Sequence, residues 1–145
     1  MLDLSLAIGH HLLIFALFGV LVAELIAVRR GMDLAAVAQV SAIDLWYGIL
    51  AGLIVAVGFS RAVFAAKGWT YYQHNAFFWA KLATFAVIGL LSVPPTIAYI
   101  RWRRAGGAPT DAQVSTARAF LWAEVVLFAP LPAFAAAMAR GYGAF

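Results

Sequence analysis

Four long runs of apolar residues follow one another along the chain, and each is long enough to cross a bilayer as a helix. The runs cover about Leu4–Val28, Ala42–Ala66, Ala76–Ile100 and Ala117–Ala139. About 30 Å of hydrocarbon takes roughly 20 helical residues. The runs are continuous rather than alternating, which favours helices over a membrane β-barrel. The pattern predicts an all-α integral membrane protein with four transmembrane helices in a single domain, residues 1–145.

Short connections join the runs, so consecutive helices are predicted to lie antiparallel in an up-down-up-down bundle. The third run contains Pro94 and Pro95, and the fourth contains Pro130 and Pro132. Proline removes a backbone donor and clashes with the preceding helical turn, so a kink is expected at each pair.

Composition changes this picture little. The chain is 66% hydrophobic and 11% charged, well outside the roughly 45–50% apolar and about 25% charged balance of soluble domains. The net charge of +4 comes from basic residues that flank the apolar runs, so it indicates membrane topology rather than nucleic-acid binding. The chain has no cysteine, which excludes disulfides, thiolate metal sites and a cysteine nucleophile.

Basic residues concentrate on one side of the predicted bundle. Between the first and second runs and between the third and fourth lie Arg29, Arg30, Arg101, Arg103, Arg104 and Arg118, whereas the other side carries Arg61, Lys67, Lys81 and Arg140. The positive-inside rule therefore places both termini outside, in the periplasm of a bacterial inner membrane. Aromatic belts are predicted at the outer side (Trp69, Tyr71, Tyr72, Trp79, Tyr142) and at the inner side (Trp46, Tyr47, Tyr99, Trp102).

Ionisable residues inside the runs form an outer and an inner group. The outer group contains His10, His11, His74 and Lys81. A buried neutral imidazole suits haem iron, and basic or aromatic neighbours suit haem propionates. The structural alternative is that His74 caps the third helix or lies among the headgroups. His10 and His11 are about 100° apart on a helix, so both cannot face the same point.

The inner group consists of Glu24, Asp44 and Glu124. The structural interpretation is interhelical ion pairs with nearby arginines, with Asp44 as the N-terminal cap of the second helix. The functional interpretation is a proton or cation path through partly buried carboxylates.

The runs IGHHLLIFALFGVLVAELIAVRR and KGWTYYQHNAFFWAKLATFAVIGLLSVPPTIAYIRWRR, with the closing MARGYG, resemble a bacterial membrane family known as domain of unknown function 2214. More distantly, the first three helices are similar to the HemJ-type membrane protoporphyrinogen oxidase. The elements that carry this second resemblance are His10 followed by Phe18-Gly19, and Trp79-Ala80-Lys81-Leu82. It implies His10 as the haem ligand and Lys81 as a functional lysine, with His11 as an alternative ligand.

The leading hypothesis is a haem b-binding inner-membrane protein with a redox or electron-transfer role. Its axial ligand would be His10 or His11, with His74 as a second ligand. Propionates would be neutralised by Lys81, Arg61 or Lys67, and the site would be enclosed by Tyr71, Tyr72 and Trp79. An enzyme hypothesis adds a redox reaction on a porphyrinogen or a quinone, with Lys81 as the catalytic residue that holds an acidic substrate group or moves a proton. The alternative is a small ion-handling or structural protein that uses Glu24, Asp44 and Glu124. A homo-oligomer in the lipid bilayer is expected in each case.

Overall fold

The fold was analysed in a computed structural model, which describes residues 2–64 and 68–145. These residues form only helices and connections. The helices are α1 (Leu2–Ala27), α2 (Leu34–Phe64), α3 (Gly68–Gln73), α4 (Ala76–Ala105), α5 (Asp111–Phe128) and α6 (Pro130–Ala139). In the described part of the chain, four segments are long and apolar enough to cross a membrane: α1, α2, α4, and α5 together with α6. The predicted all-α class with four transmembrane helices is confirmed.

The second and fourth spans begin six or more residues earlier than the apolar runs predict. The second begins at Leu34 rather than Ala42, because the Asp33 side chain accepts a hydrogen bond from the Ala36 amide (2.8 Å). The fourth span begins with α5 at Asp111 rather than at Ala117, because Thr110 and Gln113 form a reciprocal capping box. Both helices therefore extend beyond their most apolar stretch. The predicted end of the second run, Ala66, lies outside the described residues.

Contacts between distant residues establish the antiparallel order. Near the start of α1, the His10 ring lies against Gly58, near the end of α2. Near the end of α1, the carbonyl of Leu25 accepts a hydrogen bond from Arg118, in the second turn of α5. The Tyr71 hydroxyl in α3 donates to the carbonyl of Met138 in α6 (2.8 Å). The bundle is therefore up-down-up-down, as predicted.

The proline pairs have different effects. Helix α4 continues through Pro94 and Pro95 without interruption. The fourth span is divided at Ala129, immediately before Pro130, into α5 and α6. Proline at the first position of a helix is well tolerated because that amide has no partner within the helix. The fourth span is therefore interrupted at its proline pair, and the third remains one continuous helix. The kink expected in the third span stays a prediction.

An apolar layer fills the middle of the bundle. Its buried members include Leu17 of α1, Ile54 of α2, Ile88 of α4 and Phe128 of α5. Large apolar side chains such as Phe15 and Leu90 instead point outward and are exposed. In water such a surface would be unfavourable, but hydrocarbon covers it without cost. The layer separates the outer polar residues from the inner ones.

Asn75 ties the start of α4 to the C-terminal residues. Its side-chain oxygen accepts hydrogen bonds from the amides of Phe77 and Phe78, and its side-chain nitrogen donates to the carbonyl of Tyr142 (3.0 Å). The backbone adds a bond from the Ala76 amide to the Gly143 carbonyl (2.7 Å). Asn75, rather than His74, is therefore the cap of the third span.

Arg118 joins α5 to the end of α1 at the inner side of the bundle. Its guanidinium donates to the carbonyls of Leu25 and Val28, which end α1. Hydrogen bonds from a charged group are worth about 1.5–3 kcal/mol, part of which glutamine retains. We expect Arg118→Gln to lower the free energy of unfolding by about 1–2 kcal/mol. Thermal unfolding in detergent measures this loss. The matched change at the exposed Arg103 should be neutral, and equal melting temperatures for the two variants would contradict the assignment.

Candidate functional site

His10 is the one predicted histidine ligand that the structure buries. Its side chain is 8% exposed, between α1 and α2. Nδ1 is buried and makes no hydrogen bond to any described residue. A β-carbon placed at Gly58 would lie 3.2 Å from Cε1 and 3.6 Å from Nδ1 of His10. Glycine at position 58 thus leaves the room that the imidazole occupies.

Two cations lie near this imidazole. Lys81 of α4 and Arg61 of α2 are both close enough to interact electrostatically with His10, and also with each other. Both side chains are half-buried, and the Arg61 Nε is buried without a hydrogen-bond partner among the described residues. No carboxylate of residues 4–64 or 68–145 pairs with either cation. The outer half of the bundle therefore holds a concentration of positive charge, which favours an anionic ligand. We call His10, Arg61 and Lys81 the outer cluster.

His11 and His74 differ from His10 in their exposure and in their hydrogen bonds, and they are not members of the outer cluster. Both are exposed, and each directs Nδ1 toward the backbone carbonyl four residues earlier: that of Ala7 for His11 (2.7 Å) and that of Thr70 for His74 (2.9 Å). The His11 ring meets the His10 ring edge-on, with centroids 6.2 Å apart. The His74 ring packs instead on Phe145.

The predicted aromatic partners form a separate packing group. Tyr72 is buried with Ala62 and Phe78. Trp79 is exposed, and its indole N–H donates to the carbonyl of Gln73 (3.0 Å). These contacts stabilise the outer connection around α3. Lys67, the other predicted propionate partner, lies outside the described residues.

The inner carboxylates meet in the bundle interior. Glu24 and Glu124 are 1% and 0% exposed, and Asp44 is half-buried. Each lies within electrostatic reach of the other two. The predicted ion pairs are absent among the described residues, because Arg118 binds backbone carbonyls instead. The cap assignment of Asp44 is also wrong, because α2 begins ten residues earlier, at Leu34.

Hydroxyl groups accompany these carboxylates. Tyr47 donates to Glu124 Oε2 (2.9 Å), and Thr96 donates to Asp44 Oδ1 (2.7 Å). Tyr99 lies beside Glu24 and is 1% exposed. The predicted position of Tyr47 and Tyr99 in an interfacial belt is therefore wrong, since both are buried as partners of acids. We call Glu24, Asp44, Glu124, Tyr47, Tyr99 and Thr96 the inner cluster.

A groove of about 380 Å³ opens beside the inner cluster, between α2 and α4. Asp44, Tyr47 and Thr96 belong to both the groove and the cluster. The rest of its lining is mainly apolar and includes Phe85 and Ile88. The inner cluster is thus connected to a cavity. The described residues contain no group of three or more His, Asp or Glu side chains placed to hold a metal ion together.

Comparison with known proteins identifies the family. Residues 2–143 match the family model described as "Predicted membrane protein (DUF2214)". No curated protein and no solved structure matches the chain, so the similarity to the HemJ-type oxidase stays a prediction. The family match covers nearly the whole chain and agrees with its four membrane-length helices. The chain belongs to this family of predicted membrane proteins, domain of unknown function 2214.

Proposed function

We propose that this protein binds haem b at the outer cluster and has a redox or electron-transfer role, with His10 as the axial ligand. The observation that carries the proposal is the buried imidazole of His10, which has an unpartnered nitrogen and two cationic neighbours. When bound, haem b supplies one-electron chemistry at its iron, and histidine is a frequent axial ligand.

Lys81 and Arg61 fit the propionates of haem b. Each half-buried cation lacks a carboxylate partner within the described residues, and the cost of that unpaired charge is offset when an anion binds. Two cations match two propionates. His11 and His74 are not needed as ligands in this arrangement. With His10 alone as ligand, the haem would be able to bind a small ligand or a substrate.

Spectroscopy of the wild-type protein tests haem binding directly. We expect detergent-purified protein titrated with haem b to show a saturable Soret band, and split visible bands in the reduced-minus-oxidised difference spectrum. Apomyoglobin supplies a positive control for the haem stock. A Soret region identical to that of free haem in the same detergent would rule the proposal out.

Replacing Lys81 separates charge recognition from iron ligation. We expect Lys81→Met to weaken haem b binding roughly 10- to 150-fold, because one charge-assisted hydrogen bond is worth about 1.5–3 kcal/mol. Lys81→Arg keeps the charge and should bind nearly as tightly as wild type. The dimethyl ester of haem b has no propionate charge, so wild type and Lys81→Met should bind it equally. Weaker binding of the ester by Lys81→Met would show that Lys81 acts on packing instead.

We further propose a bacterial inner-membrane location with both termini periplasmic, supported by six arginines on the opposite side of the bundle, Arg29, Arg30, Arg101, Arg103, Arg104 and Arg118. The chain has no cysteine, so a single cysteine introduced at Gly107 or Gly141 is a unique label. In whole cells, a membrane-impermeant maleimide should label position 141 and leave position 107 unlabelled. The reverse pattern would invert the topology.

The haem proposal also includes a quinone or porphyrin as redox partner. It further includes assembly of the protein as a homo-oligomer.

A further inference from the structure

The inner cluster has an excess of buried acid. Its three carboxylates come from three helices: Glu24 from α1, Asp44 from α2 and Glu124 from α5. Their neighbours are hydroxyl groups, and no described lysine or arginine forms an ion pair with them. An unpaired charge in a low-dielectric interior costs several kcal/mol, so each carboxylate needs either a proton or a cation for balance.

One buried polar atom of the cluster, Glu124 Oε1, has no hydrogen-bond partner among the described residues. Glu124 is 0% exposed, and the buried Tyr99 hydroxyl also lies among the acids, within reach of Glu24 and Asp44. Buried polar groups are almost always satisfied, so the unpartnered oxygen indicates that the cluster holds something besides its own side chains.

The groove beside the cluster gives a ligand access from the bilayer. Its volume of about 380 Å³ lies within the range of small-molecule sites, about 300–1,000 Å³. Gly48 and Gly89 line it, and a β-carbon at either would meet no heavy atom within 4 Å. Leu45 and Ile49, also in the lining, are exposed on the lipid-facing surface. The groove is therefore apolar along most of its length and has a carboxylate at one place, Asp44.

We propose that this groove binds a lipophilic organic cation, with its positive group at Asp44, in exchange for protons held by the inner cluster. The apolar lining fits the body of such a molecule, and the uncompensated acids fit its charge. An arriving cation supplies the positive charge that a proton supplied before, so one proton leaves toward solvent as the cation binds. This site is separate from the outer cluster, and the inference does not depend on haem binding.

Calorimetry with tetraphenylphosphonium tests the proposal on the full chain in detergent. Titrations in buffers of different ionisation enthalpy report the number of protons released per cation bound. We expect saturable binding, release of up to one proton, and an affinity that rises with pH as protons compete less. Triphenylphosphine oxide, a neutral relative of similar shape, should bind at least ten-fold more weakly.

Variants locate the site in two independent ways. We expect Asp44→Asn to weaken tetraphenylphosphonium binding at least ten-fold, and Asp44→Glu to restore most of it. Gly89→Leu fills the groove without changing any carboxylate, and should weaken binding to a similar degree. Asp111→Asn removes an exposed acid outside the cluster and is the matched control. Every variant should keep the wild-type haem spectrum, which separates a failure here from a failure of the haem proposal.

Three results would overturn the inference. Equal affinity for the phosphonium and the neutral oxide would show that the groove is only an apolar surface. Unchanged phosphonium affinity in both Asp44→Asn and Gly89→Leu would place the cation elsewhere. Binding without proton release, at every pH tested, would refute the exchange of protons for the cation.

Discussion

Replacing His10 with alanine is expected to abolish the Soret band of the haem-loaded protein. In the proposed site His10 is the ligand that the chain supplies, and neither exposed histidine lies in an equivalent buried position. The same substitution at His11 or His74 should leave the band in place, because those side chains bind backbone carbonyls of their own helical turns. Absorption spectra of the three purified variants, titrated with haem b, measure the difference.

Chemical rescue separates lost ligation from lost folding in the His10 variant. Removal of the ring leaves space beside Gly58, and added imidazole should enter this space and restore a Soret band. Circular dichroism should show unchanged helix content. Full haem binding by His10→Ala, or loss of the band in His74→Ala alone, would refute His10 as the ligand.

Replacing Asn75 with alanine is expected to cause the largest loss of stability among the substitutions considered. Asn75 is 0% exposed and makes three side-chain hydrogen bonds: two that cap α4 and one to the Tyr142 carbonyl. Loss of a cap costs about 0.5–2 kcal/mol, and an unsatisfied buried group about 1–3 kcal/mol. We expect a decrease in unfolding free energy of roughly 2–4 kcal/mol from the two together. Thermal unfolding in detergent measures it.

Asn75→Asp divides this effect into its two parts. Aspartate keeps the oxygen that caps α4 but cannot donate to Tyr142, so its melting temperature should lie between those of wild type and Asn75→Ala. His74→Ala alters the adjacent exposed residue and should change stability little. An aspartate variant as unstable as the alanine variant would assign the whole effect to the contact with Tyr142.

The apolar runs were sufficient to predict the bundle, but they could not give the true helix ends. Hydropathy reports the part of a helix that contacts lipid, whereas a helix begins where its first amides find acceptors. Asp33 and the Thr110–Gln113 box supply those acceptors, and both are readable from sequence as capping signals. Pro94 and Pro95 did not end α4, whereas the fourth span is divided before Pro130, so a pair of prolines does not by itself determine whether a helix ends.

The candidate sites were only partly readable from the sequence. The residue types of His10 and Lys81 and their predicted depth in the membrane indicate a candidate site. Their proximity, however, depends on how each helix is rotated about its axis in the bundle. That rotation also decides that His10 is buried and His11 exposed. Tyr47 and Tyr99 were interpreted as interfacial aromatics because they lie near span ends. Their hydroxyls turn inward to the acids, and the spacings Asp44/Tyr47 and Thr96/Tyr99, each one helical turn, were the available signal.

The buried apolar layer around Leu17, Ile54 and Ile88 has an electrical consequence. Glu24 lies fourteen residue steps after His10 along α1, which corresponds to about 21 Å at 1.5 Å per residue. Most of a transmembrane voltage would fall across this low-dielectric layer, where one elementary charge gains or loses about 2.3 kcal/mol per 100 mV. A charge bound at either cluster stays on its own side of the layer. In energised vesicles, ligand binding at each cluster should therefore depend weakly on voltage, whereas electron or proton movement from one cluster to the other should depend on it steeply.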